Sequence, residues 1–411
     1  MESCNTKSSL DLPLESLSLQ PFLQSLHKEQ WQEVRLGEVA EIFDYQRIPL
    51  STMQRMNRKG AYPYYGASGV IDYIDDFIFD GKFVLISEDG ENLRTRKTPI
   101  AFKVSGKFWV NNHAHIVKGK KDYFNDLIVY LFENLDLNPY ITGAVQPKLN
   151  QSTLLNIPLK IPILETTQQK IAEILSSFDD KIDLLHRQNK TLESLALTLF
   201  RHYFIDNPKR DEWEEKPLSE IAEIQNGYAF KNSDYAERGM ETYEVLKMGH
   251  IESGGGLRYF PKAHYVKIND KMTKWVLNED DIVLAMTDMK DSLGILGYPA
   301  MVDKSNYYVL NQRVARIYLK SKDDFLHNYF LFLYLSLQEN IQKLQSLANG
   351  GVQVNLSTEA IKNFTITIPP LEFQSQNNQA FINIIKKYKN NRKQIQNLQA
   401  MRDMLLKAIF A

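Results

Sequence analysis

Along two stretches of this chain, apolar side chains recur at alternating steps of four and three. In the first, Ile171, Leu175, Phe178, Ile182, Leu185, Asn189, Leu192, Ala196 and Leu199 share one seam, which the polar Asn189 interrupts. In the second, which runs from Phe381 to Ile409, Ile384, Tyr388, Asn391, Ile395, Leu398 and Leu405 follow the same steps and Arg402 breaks them. Such seams predict two long helices with coiled-coil faces. Neither stretch contains proline or glycine, and each should reach roughly 45–50 Å at 1.5 Å per residue. A helix of this kind packs on its own domain or on a second helix, and two similar seams favour mutual packing. Asn189 and Asn391 then fix register as buried polar groups, or they face solvent.

Elsewhere the period drops to two. "KFWVNNHAHIVKG" puts Val110, Asn112, Ala114 and Ile116 on one face and Asn111, His113 and His115 on the other, as a single strand does. "GKFVLISEDGENL" reads as a strand running into a glycine turn at Asp89-Gly90. The basic run "RTRK" (Arg94–Lys97) follows, with Lys103 and Lys107 close behind. "EDDIVLAMTDMKDSLG" and "YYVLNQRVARIYLK" then repeat the plan of strand, polar glycine-containing loop and strand.

The plan repeats because the sequence does. "WQEVRLGEVAEI" (Trp31–Ile42) matches "WEEKPLSEIAEI" (Trp213–Ile224) without a gap, 182 positions on. "DYFNDLIVYLF" (Asp122–Phe132) resembles "DFLHNYFLFLY" (Asp324–Tyr334), 202 on, and "GAVQPKLN" (Gly143–Asn150) resembles "GGVQVNLS" (Gly350–Ser357), 207 on. Blocks in one order with growing offsets indicate a duplicated domain with an insertion in its second copy. So long a period excludes a solenoid or propeller. The fold class expected is α+β, with two duplicated α/β domains separated by long helices. The expected boundaries are a leader (1–29), a first domain (30–165), a helical spacer (166–210), a second domain (211–372) and a second spacer (373–411).

A length of 411 residues suits two domains, and 43% hydrophobic with 24% charged residues is a globular composition. No apolar run approaches the roughly 20 residues of a membrane helix; the longest candidate is "YFLFLYL" (Tyr329–Leu335). The start, "MESCNTKSSLDLP", has no basic segment ahead of an apolar one, so export is not expected. A single cysteine, Cys4, excludes an internal disulfide and a cysteine zinc site, which makes a reducing, cytoplasmic setting the expectation. The formal net charge of −1 argues against a chain that binds nucleic acid tightly by itself. Its basic residues must act locally, or a partner must supply more.

The common catalytic signatures are missing: no G-x-G-x-x-G, no P-loop, no H-E-x-x-H and no G-x-S-x-G. His113 and His115 offer half a metal site without a third ligand. "NPYI" at Asn138 lacks the second proline and the glycine loop that an adenine methyltransferase needs. Asp179 and Asp180 lie off the seam and read as a wet helix face. What remains is a set of polar loop residues at strand ends. In copy one these are Asn92, Arg94, Arg96 and Lys97, expected to project from the core, with Asn111, His113, Gln146 and Lys148. In copy two they are Thr287, Lys290 and Ser292, Gln312 and Arg313 from the next strand, and Gln353 and Asn355. Arginine forks onto guanine O6 and N7, asparagine onto adenine N6 and N7, and lysine favours phosphate. A solvated loop has the same composition, with Arg94 and Arg96 in surface ion pairs to Glu88 or Glu91, so both accounts stand here.

The junction "AVQPKLNQSTLLNIPLKIPILETTQQKIAEILSSFDDKID", the exit "LFRHYFIDNPKRDEW" and the W-x4-L-x-E-[VI]-A-E-I opening of each half carry a resemblance. Over residues 30–411 the chain resembles the specificity subunit of type I restriction–modification systems. The resemblance implies two target recognition domains, each reading half of a bipartite double-stranded DNA sequence, held apart by an antiparallel coiled coil that acts as a ruler. It implies a non-catalytic chain whose partners are two methyltransferase subunits and the restriction, or translocase, subunits. S-adenosylmethionine, ATP and Mg then belong to those partners and no cofactor to this chain; no membrane is involved. The second junction, "IPPLEFQSQNNQAFINII", lacks the "QQKIAEIL" wording of the first. The same plan serves type IIB and IIG restriction systems, and repeats with heptads fit a coiled-coil protein adaptor equally well. Residues 1–29 lie outside the resemblance.

Overall fold

The computed structural model describes residues 19–143, 146–259, 261–290, 293–320 and 328–410. Contacts divide them into two units, one running to Leu184 and including the segment from Asn397, the other Leu185–Gln396.

In the first unit the strands are β1 (Trp31–Arg35), β2 (Ala40–Ile42), β3 (Lys59–Gly66), β4 (Gly69–Ile74), β5 (Phe79–Ser87), β6 (Ala101–Val110), β7 (Ala114–Gly119) and β8 (Pro158–Pro162). Six form one sheet in the order β2-β7-β5-β6-β3-β4, antiparallel except where β3 meets β6. The run "FVLI" in β5 is unbroken apolar because both faces of that strand are buried. Val84 and Ile86 face the cluster built by the helix Asp122–Asn134, Ile171, Leu175, Leu405 and Ile409. Phe83 and Leu85 face the opposite cluster, where the rings of Phe79, Phe83 and Phe108 pack at 5.4–5.7 Å. Leu23 and Leu26 join the first cluster, so part of the expected leader belongs to this core.

The single alternating strand expected over residues 107–119 is two strands. β6 ends at Val110 and β7 begins at Ala114. Asn111 makes the break, its side-chain oxygen accepting the His113 N–H at 2.8 Å. Such a local side-chain bond holds a turn where alternation alone suggests a strand.

The second unit continues with β9 (Glu214–Pro217), β10 (Ala222–Asn226), β11 (Tyr235–Ala236), β12 (Thr242–Leu246), β13 (Tyr265–Lys267), β14 (Ile282–Ala285), β15 (Thr287–Met289), β16 (Pro299–Met301), β17 (Tyr308–Leu310), β18 (Val314–Leu319), β19 (Gln353–Asn355) and β20 (Thr365–Ile368). Its sheets run β10-β18-β14-β16 and β11-β13-β12-β17. β14 is again buried on both faces, Ile282 and Leu284 toward one cluster, Val283 and Ala285 toward another.

Duplication is visible bond by bond. β1 pairs with β8 and β9 with β20, both antiparallel. The Leu36 N–H donates to the Ile157 carbonyl at 3.0 Å, as Leu218 does to Phe364 at 2.8 Å. Asn150 and Ser357 cap equivalent short helices by accepting from Thr153 and Ala360 N–H groups. The middle repeat block of copy two is described only from Asn328.

Both long helices form, over Glu165–Phe200 and Leu371–Phe410. The second starts at Leu371 rather than Phe381. The Gln374 side chain donates to the Pro369 carbonyl at 2.7 Å, as Gln168 does to Pro162 at 2.6 Å. That shared N-terminal bond starts a helix that the polar "FQSQNN" gives no period to reveal. The helices run antiparallel within each unit. Asp179 meets Arg402 at 2.8 Å in the first, and in the second Gln188 meets Asn391 at 3.4 Å and the Phe200 and Phe381 rings stand 5.9 Å apart. Arg402 therefore breaks the seam to make an ion pair. Asp179, expected on a wet face, accepts from both Arg402 and the Tyr130 hydroxyl, the latter at 2.6 Å. Asn189 and Asn391 are buried; Asn189 donates to the Tyr259 hydroxyl and Asn391 to Gln188.

Candidate nucleic-acid interface

In the first unit three segments meet where β5 ends. The Glu88 N–H donates to the His113 carbonyl at 2.9 Å, Gly90 to Pro147 at 3.0 Å and Leu149 to Glu88 at 2.8 Å. This joins Ser87–Gly90, the turn 111–113 and a loop described at 142–143 and 146–150. The loop closes through reciprocal 2.8 Å bonds between Thr142 and Lys148. Gly143, at φ +84, is obligatory, because a Cβ there would lie 2.2 Å from the Gln146 carbonyl oxygen. In the second unit Asn349 and Asn355 exchange the equivalent bonds at 3.0 and 2.9 Å, and a Cβ on Gly350 (φ +144) would lie 2.2 Å from the Gln353 oxygen. The described residues of the repeated octapeptide thus make the same closing bonds in both units. Its companions in the second unit are Met286–Lys290 and Asn311–Arg313. Leu356 N–H donates to Met286 at 2.7 Å, Met286 N–H to Arg313 at 3.1 Å and Lys290 N–H to Val352 at 3.0 Å.

Beneath the first loop lies a polar cluster. His115 is 1% exposed, with Nδ1 2.5 Å from Asp44 and Nε2 2.7 Å from the Leu149 carbonyl. Arg47 donates to Glu88 at 2.6 Å and to the Ala114 carbonyl at 2.9 Å, and pairs with Asp44 at 3.3 Å. Lys148 reaches the other oxygen of Glu88 at 3.2 Å. Asp44, Glu88 and His115 bring ligand-type atoms within 4.8 Å of one another. Arg47 pairs with both carboxylates and Lys148 with Glu88, so side chains of the protein already occupy the carboxylate oxygens. His113 does not join it as the expected second metal histidine; it bonds Asp89 at 2.9 Å near the surface.

Several expected readers turn out to hold the loops instead of projecting from them. Asn92 opens a short helix, Asn92–Thr95, and its side chain bonds both the N–H and the carbonyl of Thr98. Arg96 folds back onto the end of the helix Asp122–Asn134, donating to the carbonyls of Phe132 and Glu133 at 3.1 Å each and to that of Leu135. Carbonyls left free at a helix C-terminus carry partial negative charge, which attracts a guanidinium. Arg94 donates to the Gly143 carbonyl at 2.9 Å and so braces the repeated loop. Glu88, offered as an arginine partner, is occupied by Arg47 and Lys148. Asn111 is buried in its turn, and Thr287 is buried with its hydroxyl donating to the Asn355 side chain at 2.8 Å. Gln312 and Arg313 lie in the turn before β18, not in the strand. His113, Lys97, Gln146, Lys148, Lys290, Gln312, Arg313 and Gln353 remain exposed. Ser292 lies outside the described residues.

Sequence reasoning missed Asp44 and Arg47, which sit in an aperiodic stretch and gain meaning only through Glu88 and Ala114. It also missed Met289 and Val352, 51% and 77% exposed beside Lys290 and Gln353. Their apolar character marks them as core in any pattern argument.

Two copies of one mixed domain, each presenting the same closed loop beside a polar strand end, define a duplicated recognition protein. The chain matches the sequence profile described as type I restriction modification DNA specificity domain twice, over residues 28–194 and 210–400, and belongs to that family. Its function is therefore DNA sequence recognition within a type I restriction–modification system, which the type IIB/IIG and adaptor alternatives do not match. It is similar to the putative type I restriction enzyme specificity subunit S.HindORF215P of Haemophilus influenzae, 26% identical over 82% of this chain and 83% of that one. It is also similar to the type I restriction enzyme MjaVIII specificity subunit of Methanocaldococcus jannaschii, 27% identical over 84% of each. The fold is similar to the S subunit crystal structure from M. genitalium, with TM-score 0.58 and 14% identity over 93% of this chain and 96% of that one. Among the described residues no helix is long and apolar enough to cross a membrane.

Proposed function

We propose that each unit reads one half of a bipartite DNA target through its loop cluster. In the first unit His113, Gln146, Lys148 and Lys97 meet the DNA, with Asn92, Arg94, Arg96 and Asn111 holding the loops. In the second Lys290, Gln312, Arg313 and Gln353 do so, and Thr287 with Asn355 holds the loop. The observation that carries this is the duplicated closed loop, which gathers exposed amide and cationic side chains at the same strand end in both copies. These are the donors and acceptors that base edges and phosphates require.

The chain itself carries no catalysis on this reading. Methyltransferase subunits, two per chain, dock on the helices and bring S-adenosylmethionine; restriction subunits bring ATP and Mg. A net charge of −1 fits a reader whose partners share the phosphate contacts, and the setting is the cytoplasm. The helices set the spacing between half-sites. Because they pair along their lengths, a change of spacer should need matched insertions of about four residues, one turn, in both helices.

The test is methylation mapping with a chimera in which residues 213–370 come from another specificity chain. One half of the target should change and the other persist. A simultaneous change of both halves refutes independent reading. Within a unit, Arg313→Ala should cost about 1–3 kcal/mol and relax one position if it reads a base, or lower the salt slope by about one if it holds phosphate.

A further inference from the structure

We propose that His115 is a positioning residue for sequence discrimination in the first unit, acting through residues 146–150 of the repeated loop; this rests on the reading of that loop as a DNA-contacting element. His115 lies in β7, below the loop, and is closed to solvent. One ring nitrogen faces Asp44 and the other faces the Leu149 carbonyl. The two contacts are 2.5 and 2.7 Å long, so the ring bridges the Asp44 carboxyl and the loop backbone. Such a ring is a two-ended strut. At one end Asp44 is fixed, because its second oxygen accepts the Ile116 N–H at 2.8 Å and Arg47 lies alongside at 3.3 Å. At the other end the strut meets the loop backbone one residue after Lys148 and three after Gln146.

Among the described residues the loop is also tied by the Lys148–Glu88 ion pair and by the fully buried Leu149 side chain. Leu149 N–H bonds Glu88, Pro147 accepts from Gly90, and Arg94 holds Gly143 from above. The carbonyl of Leu149 is the point at which the side chain of a buried residue of β7 touches the loop backbone, and on this proposal it trims the height of the loop. Bidentate base contacts tolerate little displacement, so this height decides which edges Gln146 and Lys148 meet. The second unit ties its loop differently, through the neutral pair Thr287 and Asn355. Only one half-site therefore depends on the buried histidine.

The two bonds separate by substitution. In His115→Asn the amide nitrogen sits near the Nδ1 position, keeping Asp44 and releasing Leu149. In His115→Gln it sits near Nε2, keeping Leu149. Each variant is assembled as the full chain with its methyltransferase subunits and mapped on a library of bipartite targets, beside Gln146→Ala and Lys148→Ala. The alanine variants identify the half-site read by the loop. His115→Asn should lose discrimination about tenfold at one or more positions of that half-site, leave the other half-site intact, and be rescued by His115→Gln. The proposal is overturned if His115→Asn discriminates like the native chain, if glutamine rescues no better than asparagine, or if both half-sites or the fold itself are lost in both variants. If Gln146→Ala and Lys148→Ala change neither half-site, the loop is not part of the interface, and the underlying reading fails instead.

Discussion

Arg96 separates a structural role from a recognition role more sharply than any other residue of the first unit. It combines a left-handed backbone, φ +47, with a guanidinium spread over three carbonyls at the end of the helix Asp122–Asn134. Replacing it with alanine removes those charge-assisted bonds but keeps the unfavourable backbone. Hydrogen bonds to a charged group contribute about 1.5–3 kcal/mol when buried. Arg96 is exposed, and water partly replaces what is lost, so about 1–2 kcal/mol is the expected cost. Glycine at the same position loses the same bonds but relieves roughly 1 kcal/mol of left-handed strain. The expected order of stability is arginine, then glycine, then alanine. In a unit of this size the alanine variant should lower the melting transition by about 2–8 °C. Calorimetry of the full chain, with methylation mapping of the assembled complex at a permissive temperature, checks both halves of the argument. Native stability together with relaxed specificity in Arg96→Ala would refute it and return Arg96 to the DNA interface.

Gly143→Ala and Gly350→Ala both drive a Cβ to 2.2 Å from a carbonyl oxygen at positive φ. Each should abolish discrimination at a different half-site, and mapping that finds the same half-site affected by both would contradict the duplicated loop. Arg402→Ala strips the cation from Asp179 and Glu133. A loss of about 1.5–3 kcal/mol is expected in denaturant melts, partly restored by adding Asp179→Asn; no restoration would mean that the pair contributes nothing. For Glu244, burial pushes the carboxyl up, but hydrogen bonds from His250 and Tyr307 outweigh it and hold the group below its ordinary 4.5. A lowered folded value stabilises fully above the unfolded one and fades as pH falls through it. Melts between pH 6 and 3 should show acid sensitivity in the second unit that Glu244→Gln reduces, and equal sensitivity in the variant would count against the assignment.

The sequence by itself determined the duplication, the two long helices, the strands at "FVLI" and "DIVLA" and the repeated octapeptide of each half. All of these are local or periodic. A heptad seam, an apolar run or a repeated block leaves its mark within a few residues of itself. The sequence also showed that polar side chains gather near strand ends. Only the tertiary structure decided what each of them does. Arg96 and Lys97 are neighbours of similar chemistry, yet Arg96 finds the end of a helix whose last carbonyls lie 36 to 39 positions away and Lys97 stays exposed. Asp44, Glu88, His115 and Leu149 become one cluster because β2, β5, β7 and the repeated loop converge, and no spacing announces it. Arg402 looks like a flaw in a seam until Asp179 stands opposite. Hydrogen bonds and ion pairs are short-ranged and directional, so the partner that gives a polar residue its role is chosen by the path of the chain in space.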